Sequence, residues 1–182
     1  MNRLISHYNT SVKTDLINKF NYKNVSQIPK LLKIVVHLTT KDTLKNPKNV
    51  VFPLLLLELI TGQKPEIIKA KHSVATFKLQ AGNLMGGRVT LRDDAMYTFL
   101  DKLVTISLPK VREFNGLSDK KFDSEGNYAF GIKDISVFPE IEASYNNFTS
   151  KFGLDINIIT SNKSRAESKA LLSAFHFPFK TN

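Results

Sequence analysis

The 182-residue sequence contains no cysteine. That absence excludes a disulfide-stapled scaffold, a thiolate zinc site and a cysteine nucleophile. The sequence also lacks a long apolar stretch. Its longest, from Val50 to Ile60, includes Pro53 and Glu58 and is well short of the roughly 20 residues that a membrane span needs. Residues 1–20 have no continuous apolar region and include Asp15, so we do not expect a secretory signal peptide.

Motifs for catalysis and nucleotide binding are missing as well. There is no G-x-S-x-G, and the glycines of residues 82–87 are not followed by the Lys-Ser/Thr of a phosphate-binding loop. Asp93 and Asp94 are better explained as a helix cap than as a catalytic carboxylate pair. No metal-ligand spacing relates the four histidines, which are His7, His37, His72 and His176. We therefore expect no enzymatic activity, no cofactor and no metal.

Acidic side chains are scarce in the first half of the chain. Residues 1–92 hold 15 basic and 4 acidic side chains, a charge of +11, whereas residues 93–182 hold 11 and 12, a charge of −1. The whole excess of +10 thus lies in one half. This asymmetry favours a localised face for a polyanion such as RNA over an evenly basic surface, which is the alternative.

Apolar spacing predicts the secondary structure. Helices are expected over residues 4–20, over residues 50–61 as a buried helix, from Asp93 or Asp94 to about Pro109, and after Ser164. Strands are expected at 31–38, 66–71, 88–92, 135–138 and 154–159, and residues 115–132 are expected to be rich in loops. This order predicts one α+β domain over residues 1–182, with a mainly antiparallel sheet and helices on one face.

Three of these strands place polar or basic residues on one alternation face. They are Lys33 and His37, then Lys69 and Lys71, then Arg88, Thr90 and Arg92. By alternation along its strand, Glu66 is expected on the opposite face from Lys69 and Lys71. The basic face is therefore expected to be nearly free of carboxylates. Such a face can bind phosphates and 2′-hydroxyl groups of RNA. The alternative is ordinary solvent exposure, with lysine on an edge strand preventing aggregation.

Residues 72–87 (HSVATFKLQAGNLMGG) are expected to form a long loop hinged by glycines. Loops of this length are usually functional or disordered. Phe77 can stack on a nucleobase in such a loop, or it can pin the loop to the core. Both interpretations of Phe77 stay open at this point.

Motifs along the whole chain match one family. They include FNYKNV at 20–25, GQKP at 62–65, KAKHS at 69–73, RVTLR at 88–92, LPKVREFNGLS at 108–118 and FPF at 177–179. On these residues the chain resembles the bacterial or organellar type of ribosomal protein five, the 5S-rRNA-binding protein of the large ribosomal subunit. Each motif alone is a weak indication of the family, but all of them together in this order are specific for it.

The resemblance implies a curved antiparallel sheet whose concave face binds 5S rRNA in the central protuberance. It also implies contacts with large-subunit rRNA, with P-site tRNA through the 72–87 loop, and with a small-subunit protein across an intersubunit bridge. The candidate rRNA-binding residues are Lys33, His37, Gln63, Lys64, Lys69, Lys71, Arg88, Thr90 and Arg92. The candidate tRNA-contacting residues are His72, Ser73, Thr76, Phe77 and Lys78. An RNA chaperone or regulator outside the ribosome is the alternative function.

Several residues depart from the family pattern. His37 stands where the family usually has Asn, residues 38–41 replace a glycine turn, and Lys71-His72 replaces Arg-Lys. The chain is also rich in Lys, with 21, and in Asn, with 15. Together these features favour a mitochondrial ribosome, with a plastid or an A/T-rich bacterium as alternatives. Because the resemblance starts close to Met1, we expect either synthesis inside the organelle or removal of a presequence.

Overall fold

The computed structural model describes residues 2–44, 46–143, 152–162 and 164–180. Its α-helices are α1 (Arg3–His7), α2 (Lys13–Phe20), α3 (Val51–Thr61), α4 (Asp93–Lys102), α5 (Pro139–Glu142) and α6 (Arg165–Ala174). Its strands are β1 (Leu31–Thr39), β2 (Glu66–Lys69), β3 (Leu84–Leu91), β4 (Tyr128–Ile132) and β5 (Leu154–Thr160). They form a five-stranded antiparallel sheet in the order β2-β3-β1-β5-β4, with helices packed alongside. The predicted α+β class is confirmed.

The chain divides into two compact units. The first comprises Met1–Ile34, Leu91–Phe130 and Asn157–Asn182, and the second comprises Val35–Thr90 and Gly131–Ile156. Strands β1, β3, β4 and β5 each have residues in both units, whereas β2 lies wholly in the second.

Aromatic packing dominates the first unit. The helix predicted over residues 4–20 is present as α1 and α2, joined by a π-helical turn, and it buries Leu4, Tyr8, Val12 and Leu16. The Tyr8 ring stacks on Phe175 at 6.0 Å between centroids, and its hydroxyl donates to the Pro29 carbonyl at 2.9 Å. Burial raises the pKa of Tyr8 to about 12, so the phenol stays protonated and keeps donating.

In the second unit, α3 packs against α5 and ends at Gly62, whose φ of 68° is in the left-handed region that favours glycine. Helix α3 was predicted to be buried, but only one of its faces is buried, so the prediction was wrong for the other face. The inward side chains are Pro53, Leu56, Leu57 and Ile60. The outward side chains are Val51, Phe52, Leu55 and Leu59, which remain exposed. No helix in the described ranges is long and apolar enough to cross a membrane.

Two other local predictions were wrong. Residues 128–132 were expected to be loop, but they form β4, which buries Tyr128, Phe130 and Ile132 in alternation. Residues 135–138 were expected to form a strand, but Ile135–Val137 is a 3-10 turn. The Asp134 side chain accepts from the Ser136 N–H at 3.0 Å and so favours this turn over an extended strand.

The second unit also depends on two glycines in β3. A Cβ at Gly86 would collide with the Leu38 carbonyl oxygen of the neighbouring β1, and one at Gly87 would lie 2.7 Å from Leu54 Cδ2. The predicted role of these glycines as loop hinges was wrong. They lie within the strand, and they let a backbone and a helix approach it closely.

We expect Gly86→Ala to lower the free energy of unfolding by at least about 2 kcal/mol, because the Leu38 backbone cannot move aside as a side chain can. Urea denaturation measures this change. Gly131→Ala is the matched control, since its Cβ would meet chiefly the Asp155 Oδ1 atom at 3.0 Å and that carboxylate can rotate. Equal losses for the two variants would contradict the close-approach explanation.

Candidate nucleic-acid interface

The predicted rRNA-binding residues occur in both units. Lys33, half-buried in β1, and Arg92, exposed just after β3, belong to the first. The others belong to the second and are His37, Gln63, Lys64, Lys69, Lys71, Arg88 and Thr90. Most of the candidate site therefore lies in the second unit.

An ion pair joins β2 to β3. Glu66 stands directly opposite Arg88 in the antiparallel register, and Arg88 Nε donates to Glu66 Oε2 at 2.8 Å. Cross-strand partners share a face of the sheet. The expectation that Glu66 lies on the other alternation was therefore wrong, because sequence alternation within each strand does not reveal which residues pair across strands.

The pair holds both groups in their charged forms. The hydrogen bond from Arg88 and its positive charge lower the pKa of Glu66, and the same contact raises the pKa of Arg88. Both side chains are exposed, so solvent screens the pair and its effect on stability is small. Its main consequence is orientation, because the hydrogen bond favours one placement of the guanidinium.

His37 lies half-buried in β1 near Arg88 and Asp155. Burial lowers the pKa of His37, and Asp155 opposes this while Arg88 adds to it. The imidazole is therefore neutral at pH 7, with one donor and one acceptor nitrogen. Asp155 is exposed on β5, next to β1, and its Oδ1 atom lies over Gly131 of β4.

We call His37, Glu66, Arg88 and Asp155 the central cluster. It contains one fixed positive and two negative charges, so it is not the carboxylate-free basic face that was expected. Phosphate groups gain nothing overall from such a set of charges. Its donors and acceptors suit neutral polar groups instead.

In the second unit, uncompensated positive charge lies along β2 and its flanks. We call Lys64, Lys69 and Lys71 the β2 lysines. All three are exposed, and none forms an ion pair with another residue in the described part of the chain. A register shift after Ile68 places Lys69 opposite Leu84. Lys69 and Lys71 flank the buried Ala70, so their predicted common exposure is confirmed.

The predicted 72–87 loop is shorter than expected, because β3 begins at Leu84. Backbone hydrogen bonds close its base, from Ala70 N–H to Asn83 O at 2.8 Å and from Gly82 N–H to Ala70 O at 2.9 Å. Higher up, Val74 and Leu79 form an antiparallel bridge. Hydrogen bonds among its own residues therefore hold the loop between β2 and β3 in shape.

Phe77 at the tip of this loop is 63% exposed, which contradicts the interpretation in which it pins the loop to the core. It lies in a 3-10 turn ended by Lys78, whose φ of 52° is left-handed. Thr76 and His72 are also exposed. Ser73 has a structural role, since its Oγ accepts from the Ala81 N–H at 2.9 Å.

Local hydrogen bonds hold the segment around 38–41, where the family that the chain resembles has a glycine turn. Thr40 N–H donates to the Met85 carbonyl at 3.0 Å, and the Thr43 hydroxyl donates to the Thr40 carbonyl at 3.0 Å. Thr40 Oγ1 in turn accepts from the Asp42 N–H at 3.3 Å. Threonine hydroxyls therefore stabilise this turn without glycine.

Two family models match the chain in succession. Residues 24–80 match the one described as ribosomal protein L5, and residues 84–179, more than half of the chain, match the one described as the C-terminus of the same ribosomal family. The chain belongs to the ribosomal protein L5 family. It is therefore a structural protein of the large ribosomal subunit and not an enzyme.

The central cluster draws on both L5-family matches. His37 and Glu66 lie in the first match, and Arg88 and Asp155 lie in the second. All four belong to the same compact unit. The two matched regions thus contribute jointly to one group of side chains.

Sequence reasoning missed the two carboxylates of this cluster. Asp155 follows the alternation of the buried Leu154 and Ile156, so its outward position was available from the sequence. What the sequence did not reveal was that β5 neighbours β1, and that Glu66 pairs with Arg88.

We expect Arg88→Gln to raise the pKa of Glu66 towards its ordinary value, because the positive charge is lost and at most an uncharged donor remains. Carboxyl-detected NMR titration measures it. Since the folded pKa is lowered, the stabilising contribution of the pair is present above the unfolded pKa and is lost as pH falls through the folded pKa. Arg92→Gln is the control and should leave Glu66 unchanged. An unaltered Glu66 pKa in Arg88→Gln would contradict the pairing.

Proposed function

We propose that this L5-family protein binds 5S rRNA in the central protuberance of the large subunit, together with adjoining large-subunit rRNA. The observation that carries the proposal is the exposed group of β2 lysines, which have no ion-pair partner in the described ranges. Each ammonium group can bind a phosphate and release condensed counterions. Family membership supplies the ribosomal setting.

The proposed contacts fall into two kinds, within a single 5S-rRNA-binding domain over residues 1–182. Lys64, Lys69 and Lys71, together with Lys33 and Arg92, supply positive charge for phosphates. The remaining candidates supply neutral or internally balanced polar groups, and they are His37, Gln63, Thr90 and Arg88. Phosphate contacts set affinity, whereas polar contacts to bases set specificity.

We expect the purified protein to shift a 5S rRNA transcript in a mobility assay. With about five phosphate contacts, its affinity should fall by roughly 10²–10³ between 50 and 200 mM salt. The Lys64→Ala, Lys69→Ala, Lys71→Ala triple variant should bind more weakly and lose about one unit of salt slope per lysine.

The matched control removes the same charge elsewhere, at Lys120, Lys121 and Lys133, which are all exposed. It should retain most of the affinity. Equal losses in the two triple variants would mean that only net charge matters, and a salt-independent wild-type affinity would contradict phosphate binding.

The loop between β2 and β3 is proposed to contact P-site tRNA. Its support is the exposed aromatic ring at the tip, flanked by Thr76 and Lys78, with His72 nearer the base. An exposed phenylalanine beside a lysine can stack on a base or ribose while the ammonium group binds the adjacent phosphate. Ser73 contributes by holding the loop in shape.

We expect ribosomes that carry Phe77→Ala to bind P-site tRNA about tenfold more weakly, in line with the loss of one aromatic stacking contact. Filter binding of labelled tRNA measures this. Phe77→Tyr keeps the ring and should bind as the wild type does. Val25→Ala, an exposed apolar residue outside the loop, is the second control. Unchanged tRNA binding in Phe77→Ala would contradict the stacking contact.

The nearly neutral residues 93–182 are proposed to include the contact with a small-subunit protein across an intersubunit bridge. A mitochondrial ribosome is proposed as the location. Its support is the richness in Lys and Asn and the residues at 37–41 that replace the family's usual pattern.

A further inference from the structure

Arg88 presents one edge of its guanidinium to the solvent. Its Nε is bonded to Glu66 Oε2 at 2.8 Å, and no other residue in the described ranges bonds its two terminal nitrogens. A guanidinium held at Nε presents both terminal amino groups side by side in one plane. Lysine cannot reproduce this arrangement, because its ammonium is a single point charge.

The surrounding charges select what this edge can bind. Glu66 and Asp155 both carry negative charge in the central cluster, and the half-buried His37 adds no positive charge at pH 7. A phosphate approaching Arg88 would meet two carboxylates for one guanidinium. A neutral ligand with two adjacent acceptors meets no such repulsion and still takes both hydrogen bonds.

Among nucleobases, guanine offers that pattern. Its O6 and N7 atoms are adjacent acceptors, and paired hydrogen bonds from arginine to them are the commonest specific base contact. The same edge of adenine replaces one acceptor with an amino donor, which would face an arginine donor. Because the major groove of A-form RNA is too narrow for side chains, the guanine must lie in a loop, bulge or strand end.

We propose that the central cluster is a guanine-reading site, in which the terminal nitrogens of Arg88 donate to O6 and N7 of an unpaired guanine and Glu66 is the positioning residue. The inference rests on the proposed function, since it takes 5S rRNA as the source of the guanine. It adds a division of labour, with base recognition at the cluster and phosphate binding at the β2 lysines.

A 5S rRNA transcript made with 7-deazaguanosine tests the inference, because this substitution removes the N7 acceptor and keeps Watson–Crick pairing. Dissociation constants are measured by filter binding for unmodified and substituted RNA. Wild-type protein should lose about tenfold in affinity for the substituted RNA. Arg88→Lys should bind unmodified RNA more weakly and discriminate between the two RNAs less than about threefold, because a point charge gains less from two adjacent acceptors.

Two further variants separate the roles. Lys71→Ala, which removes a phosphate contact, should weaken binding to both RNAs and keep the discrimination of the wild type. Glu66→Ala adds net positive charge and should strengthen binding to an unrelated RNA while reducing the discrimination. Thermal unfolding checks that all variants are folded.

The outcomes are distinct. Wild-type protein that binds both RNAs equally overturns the guanine site, and so does an Arg88→Lys variant that discriminates as strongly as the wild type. In both cases binding to unmodified 5S rRNA persists, so the proposed function stands. Wild-type protein that fails to bind unmodified 5S rRNA overturns the proposed function and this inference with it.

Discussion

The close approach of β3 to its neighbours is the constraint on which the second unit depends. Gly86 lies against the Leu38 carbonyl of β1, and Gly87 lies against the Leu54 and Leu57 side chains of α3. A side chain at Gly86 would push the strand away from the β1 backbone, and one at Gly87 would displace the Leu54 side chain. On its other side β3 pairs with β2 in the register that sets Glu66 opposite Arg88, and backbone hydrogen bonds close the base of the loop between the two strands.

This arrangement separates two kinds of charge. The β2 lysines have no ion-pair partners in the described residues, so their field is available to a polyanion. Arg88 is instead neutralised by Glu66 and lies beside a half-buried, uncharged His37 and the Asp155 carboxylate. A count of basic residues treats these groups alike, but only the first kind attracts phosphate without an opposing carboxylate. Arg88 still has directional N–H donors although its charge is balanced, and such donors suit recognition of a hydrogen-bond pattern.

The sequence predicted the parts of the fold that local pattern decides. The helix over residues 4–20 and the strand at 31–38 were confirmed, because helix and strand periods are visible within one segment. The role of Gly86 and the partner of Arg88 were not predicted, because they depend on which strands are neighbours and in which register. The strand predicted at 135–138 was wrong because two local preferences compete there. The apolar residues favour a strand, but the Asp134 side chain accepts from the Ser136 N–H and stabilises a turn.

We propose that the β2 lysines contact phosphates and that Arg88 contacts a base. A high-resolution structure of this protein within its large ribosomal subunit tests that claim most directly. We expect phosphate oxygens within hydrogen-bond distance of Lys69 and Lys71 and the O6 and N7 edge of an unpaired guanine at Arg88, with Glu66 still bonded to Nε. A phosphate at Arg88 in place of Glu66, or no RNA at all on this unit, would contradict the claim.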